Sequence, residues 1–189
     1  MSDRPRGTDR RARYTQEAIR RSLLTLMKQK NFRKITVTEV CSAAEINRGT
    51  FYLHYADLDD VLDELLTEMT ENTASVVGHI VCGDAECGAY PFCEKIRNNE
   101  QYQTLFTDES ITKKVIEKIA AVSKDDYISA LTERTKLSAR EAEAVFYFQL
   151  HGCLTFNRLM IQNKYADWGK IQSVVDEFIK AGIEHFMTR

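Results

Sequence analysis

The chain predicts an all-α protein, built as a three-helix N-terminal domain with a helix-turn-helix and a larger helical C-terminal body. Three observations carry this. Apolar residues recur every three or four positions along most of the 189 residues, the spacing of one buried helix face. Only two prolines are present, so little interrupts those faces. The stretch Thr36 to Tyr55, TVTEVCSAAEINRGTFYLHY, has a hydroxyl cap, a short helix, a tight turn and a second capped helix.

The first helix is expected from the cap Thr15 to about Lys30. Ile19, Leu23, Leu26 and Met27 lie on one face, and Leu24 broadens it. Residues 1–13 precede it with five arginines and almost nothing apolar, and are expected to be a disordered basic arm. Residues 1–34 hold eleven Arg or Lys against three Asp or Glu, a balance of +8; the rest holds fifteen against twenty-five, a balance of -10. A basic end on an acidic body fits a polyanionic partner at that end only.

The second helix opens on a capping box, Thr36 with Glu39 three residues on, and turns Val37, Val40, Cys41 and Ala44 inward. Cys41 reads most simply as a small core residue. The turn is Glu45-Ile46, and Asn47 caps the third helix. With Phe51 in the core, a repeat of 3.6 residues per turn leaves Arg48, Gly49, Thr50, Tyr52 and His54 on the other sides. Gly49 costs about 1 kcal/mol against alanine in a helix, tolerable where a surface approaches closely. Arg48 can donate to guanine or phosphate, and Thr50, Tyr52 and His54 to phosphate oxygens. Double-stranded DNA is therefore the expected partner, with Thr36, Thr38, Asn47, Arg48, Gly49, Thr50, Tyr52, His54 and Tyr55 as the contact set.

The run INRGTFYLHYADLDDVLDEL, preceded by ITVTEVCSAA, resembles the DNA-binding domain of the TetR family of bacterial transcription regulators. The resemblance covers about Thr15 to Leu65. It implies an all-helical homodimer on a palindromic operator, usually a repressor, with a C-terminal domain that binds a small effector. The chain departs from the family twice. Glu45 stands where a glycine is common in the turn, and Leu58 where a phosphate-contacting lysine is common. The domains are then expected as the arm 1–13, the helix-turn-helix domain 14–57, and an effector-binding and dimerisation domain 58–189.

In that body, a helix is expected from the cap Asp57 past Glu68 toward Val81. Residues 82–89 are expected as a loop, followed by a helix from Pro91 to about Asn98. Residues 100–122 are expected to be helical with a break near Thr107-Asp108, followed by a separate short helix Asp125 to Thr135. Ser138 and Glu141 form a second capping box that opens a long helix to about Asn163. The last helix carries Ile171, Val174, Val175, Phe178, Ile179, Ile183 and Phe186, a stripe wider than one core partner needs. Phe148, Gly152, Leu159, Val174, Phe178 and Gly182 are the candidate dimer interface, as the resemblance implies. Phe92, Tyr102, Phe106, Tyr127, Phe146, Gln149 and Phe156 are candidate effector-pocket residues, since pockets are mostly apolar with few polar groups; ordinary core is the simpler reading of each.

No G-x-S-x-G, H-E-x-x-H or phosphate-binding glycine loop occurs, so no enzyme is expected, and no cofactor. His79, Cys82, Cys87 and Cys93 could hold zinc or sense redox state. Their spacing matches no standard zinc pattern, and loop and core thiols explain it more simply. A helical-bundle sensor built on that cluster, or a small-molecule carrier without DNA binding, are the alternative functions. No apolar run reaches the roughly 18 residues of a membrane span, and a cytoplasmic location is expected. If the arginine arm substitutes for the absent lysine at the phosphate backbone, removing residues 1–13 weakens operator binding and flattens its salt dependence. The log–log slope then falls by about 0.9 for each phosphate that the arm no longer neutralises. Gel-shift titration over a salt series checks this; an unchanged slope rejects it.

Overall fold

The computed structural model describes residues 7–70, 96–164 and 166–187, and every regular element among them is helical. The elements are α1 (Gly7–Met27), a 3-10 turn (Phe32–Lys34), α2 (Val37–Ala43), α3 (Arg48–Tyr52), α4 (Leu58–Thr70), α5 (Glu100–Thr107), a second 3-10 turn (Glu109–Ile111), α6 (Thr112–Arg134), α7 (Ala139–Asn163) and α8 (Trp168–Met187). Two compact units result: Met1–Glu68 with Asp108–Ile111, and Met69–Thr107 with Thr112–Arg189.

In the first unit, Ile19, Leu23, Leu24 and Met27 of α1 bury with Val40, Cys41, Phe51, Val61, Leu62, Leu65 and Leu66. Burial pushes the Cys41 thiol up, more than nearby Arg48 lowers it, which leaves it an unreactive packing residue. Arg20 of α1 joins α4 through Glu64, at 2.7 Å, and also meets Glu17 at 2.6 Å. The first helix starts earlier than the sequence indicates. Thr15 is no cap: it lies in mid-helix, and its hydroxyl donates to the Arg11 carbonyl at 3.0 Å. Arginine and alanine are good helix formers, so helical structure extends into the segment expected as an arm.

The 3-10 turn at Glu109–Ile111 belongs with this unit although it comes much later in the chain. The buried Phe32 N–H donates to Asp108 Oδ2 at 2.6 Å, and the other oxygen of Asp108 accepts from the Ser110 amide and hydroxyl. Asp108 is 7% exposed, so its carboxylate serves both ends of a buried connection.

In the second unit, α6 and α7 pack as an antiparallel pair and α5 packs on α7. The break expected at Thr107-Asp108 is present; the one expected before Asp125 is not. Ser123 sits in mid-helix and donates to the Ile119 carbonyl at 2.7 Å, so α6 runs unbroken from Thr112 to Arg134. Tyr127 and Leu131, both fully buried, anchor that continuation. Arg158 ties α7 back to this core, donating to the Phe106 carbonyl and the Thr112 hydroxyl. The helix expected after Pro91 lies mostly outside the described residues, which include its helical end at 96–98. So do the continuation of α4 past Thr70, the loop 82–89, Phe92, and the cluster His79, Cys82, Cys87 and Cys93.

Replacing Asp108 by Ala strands the Phe32 N–H in the core. Urea unfolding is expected to show a loss of about 1–3 kcal/mol. Asp108→Asn keeps an acceptor oxygen and is expected to lose clearly less.

Candidate nucleic-acid interface

The helix pair α2–α3 is shaped by local polar bonds. Thr36 Oγ1 accepts from the Glu39 amide at 3.3 Å, and Glu39 Oε2 accepts from the Thr36 amide at 2.9 Å, which completes the capping box. Glu39 Oε1 also takes Lys30 Nζ at 2.5 Å, which pins α2 to the connection that follows α1. After α2 the chain reverses through Glu45, whose φ of 55 is left-handed. A non-glycine residue there costs about 1 kcal/mol. The reversal lets the Ile46 amide reach the Cys41 carbonyl at 3.0 Å. Asn47 Oδ1 then accepts from the Thr50 amide and hydroxyl and starts α3.

Phe51 orients α3. It is wholly buried, edge-on to Tyr52 at 5.4 Å and tilted against Tyr55 at 5.9 Å between ring centroids. This leaves Arg48, Gly49, Tyr52 and Leu53 exposed, together with Thr38 of α2. Arg48 and Tyr52 form a preset pair: Arg48 Nη2 donates to the Tyr52 hydroxyl at 3.1 Å, and its guanidinium lies 5.7 Å from the ring centroid. Such a pair presents a planar donor fork beside an aromatic face, chemistry suited to guanine and thymine edges. Leu53, 82% exposed, is an addition that the sequence reading missed; an apolar residue following an outward Tyr52 was the available signal.

Four residues of the expected contact set do something else, Asn47 among them as the cap of α3. Tyr55 is buried, and its hydroxyl donates to Glu64 at 2.5 Å. Burial, and then this bond, raises its phenol pKa above the ordinary range. It therefore braces α3 from within and does not face outward. Thr36 gives both its donors, amide and hydroxyl, to Glu39, so it caps α2 and has none left for phosphate. Gly49 has an internal reason as well: a Cβ there would stand 3.2 Å from the capping oxygen of Asn47. His54 and Thr50 are half-buried.

The candidate pocket residues among the described ones do not converge. Tyr127 and Phe146 pack at 5.3 Å, and Tyr127 donates its hydroxyl to Gln149, so these three form one satisfied core cluster. Phe106 is buried elsewhere, beside Leu105, Leu154 and Arg158, and Tyr102 is half-buried. Phe156 lines an open hollow on α7 with Tyr147, Phe148, His151, Gly152 and Leu159. It belongs with the outward face, because its position three residues before Leu159 puts both on one side of the helix. The candidate dimer residues are all exposed: Phe148 by 75%, Leu159 by 47%, Val174 by 64% and Phe178 by 72%. A Cβ on Gly152 or Gly182 would meet nothing within 4 Å.

Comparison with known proteins agrees with this fold. The chain superimposes on the dihydroxyacetone kinase operon activator DhaS with a TM-score of 0.55 and 16% identity, over 91% of this chain and 97% of that one. The all-α architecture is thus the fold of a known transcription regulator. An uncharacterized HTH-type transcriptional regulator, YxbF of Bacillus subtilis (strain 168), is 25% identical over 87 residues, 46% of this chain. The matched part is 20% of that relative's length. No family model matches the chain. No helix among the described residues is long and apolar enough to cross a membrane.

The capping carboxylate sets a pH dependence. The bond from Lys30, then those from Thr36, hold Glu39 down at about 2, from an ordinary 4.5. A lowered carboxylate stabilises the folded state above its unfolded value, and that stability is lost as pH falls through the folded one. Helical signal in acid titration is expected to weaken from about pH 4.5 toward about 2. Glu39→Gln is expected to remove that part of the slope; an identical acid profile in the variant would show that the cap contributes nothing.

Proposed function

We propose that this protein is a homodimeric, sequence-specific DNA-binding transcription regulator of the TetR type. The observation that carries the reading is the preset Arg48–Tyr52 pair, exposed on a helix that Phe51 anchors directly after a tight turn. Arg48 would read a guanine edge, Tyr52 and Leu53 would lie against thymine methyls, and Thr38 would meet a phosphate. Asn47 would hold the helix start rather than contact bases. The likeness to DhaS and to the HTH-type relative supports the same reading.

The domains fit this use. Residues 14–57 form the DNA-reading head, with 1–13 tracking phosphates beside it. Residues 58–189 carry effector binding and dimerisation. The exposed apolar residues of α7 and α8 suit a two-fold interface, with Gly152 and Gly182 permitting close helix approach. A dimer would set its two α3 helices in successive major grooves of a palindromic site, about 34 Å apart. An effector releases such a dimer only by binding its DNA-competent and incompetent states with different affinity. Repression by occupying the operator is the sign that the TetR-like sequence favours. The structural relative is named an activator, and a reporter fused to the operator region decides the sign.

Arg48→Ala and Tyr52→Ala are each expected to weaken binding to the upstream DNA of the protein's own gene by about 1–3 kcal/mol, with sedimentation showing an unchanged dimer. Phe178→Glu is expected to give monomers that no longer shift the same DNA. Intact sequence-specific binding by both the Arg48 and Tyr52 variants would sink the assignment.

A further inference from the structure

The outermost side chain of α3 belongs to neither member of its polar pair. Leu53 follows Phe51 by two residues, a rotation of about 200° at 3.6 residues per turn. Its backbone is still right-handed helical, with φ -73 and ψ -19. With the Phe51 ring wholly buried, Leu53 therefore points straight away from the core, and it is 82% exposed. Gly49 lies four residues before it on the same face. A helical side chain leans toward the N-terminus over that position, and Gly49 has no side chain to meet it. The two form a strip with bare backbone at one end and an isobutyl group at the other. Arg48 and Tyr52, joined by their 3.1 Å hydrogen bond, flank the strip on one side, and half-buried Thr50 flanks it on the other.

The chemistry of such a strip in a major groove is narrow. Each base pair presents donors and acceptors there, and thymine alone of the four bases adds an apolar group, its C5-methyl. Leucine can neither donate nor accept. Pressed on a polar base edge it would strip away water and return no hydrogen bond. Against a methyl it buries apolar area of both partners. That methyl, on the same ring carbon, is also what separates thymine from uracil and 5-methylcytosine from cytosine. Leu53 therefore senses the substituent and not the base, while Arg48 and Tyr52 supply the polar readout beside it.

We propose that Leu53 is a specificity-determining residue that selects a pyrimidine carrying a C5-methyl group, thymine and 5-methylcytosine alike. This selection rests on the DNA reading proposed above. It makes cytosine methylation at the contacted position a signal that the protein detects.

Fluorescence anisotropy on the upstream DNA of the protein's own gene tests it, with single thymines changed to uracil one at a time. At the thymine under Leu53, loss of the methyl is expected to weaken binding about fourfold, the worth of burying one CH2-sized group. The Leu53→Ala chain is expected to bind the thymine and uracil duplexes with nearly equal affinity. At that same position, 5-methylcytosine opposite guanine is expected to bind about fourfold tighter than cytosine opposite guanine. Leu53 is exposed, so its alanine variant is expected to keep the parent thermal midpoint, and a lost preference then does not report unfolding. A parent chain that no uracil weakens, the same uracil penalty in Leu53→Ala, or equal binding of cytosine and 5-methylcytosine would each overturn the proposal while leaving sequence-specific binding in place. Absence of sequence-specific binding to the thymine duplex would overturn the DNA reading and this selection together.

Discussion

Burial of the Phe51 ring is the constraint on which the outward chemistry of the first unit depends. A helix of only five residues, Arg48–Tyr52, has too few internal hydrogen bonds to hold its own orientation. The aromatic anchor supplies what the backbone lacks. Phe51 packs on Tyr55, Tyr55 donates to Glu64, and Glu64 accepts from Arg20 of α1. The direction in which Arg48 and Tyr52 point is thus fixed by a chain of contacts reaching the first helix. Without the ring, α3 would be free to rotate even if every exposed residue stayed in place.

The local polar devices and the core act at different ranges. Each cap satisfies donors within three residues: Thr36 with Glu39, Asn47 with Thr50, Asp57 with Asp60, Ser138 with Glu141. They fix where helices begin. They do not decide which helices meet; buried apolar faces and a few long-range bonds do that.

That division explains what could be seen in the residues alone. The caps, the turn at Glu45, the inward Phe51, the long helix from Ser138 and the apolar stripes are short-range patterns, and they stand in the sequence. The outward set of α3 was legible as far as helix periodicity reaches. Helix periodicity itself puts Tyr55, four residues after Phe51, on the inward face, against its place in the contact set, and Thr36 is lost to that set because its own cap consumes its donors. The mid-helix Ser123 resembles a break because its bond back to Ile119 has no sequence mark. The candidate pocket aromatics share spacing but not position, since periodicity names a face and not its neighbour.

The bond between Phe32 and Asp108 joins residues 76 positions apart. By contrast, α6 and α7 are joined by a connection of four residues, 135–138, and can pair as soon as both exist. Loop closure over a long span is entropically slower than over a short one. During synthesis, therefore, α1 to α4 emerge first yet wait for the 108–111 segment before the Phe32 amide finds its acceptor. The α1–α4 segment leaves the ribosome before the 108–111 segment, so the buried Phe32–Asp108 bond closes only after α5 has followed.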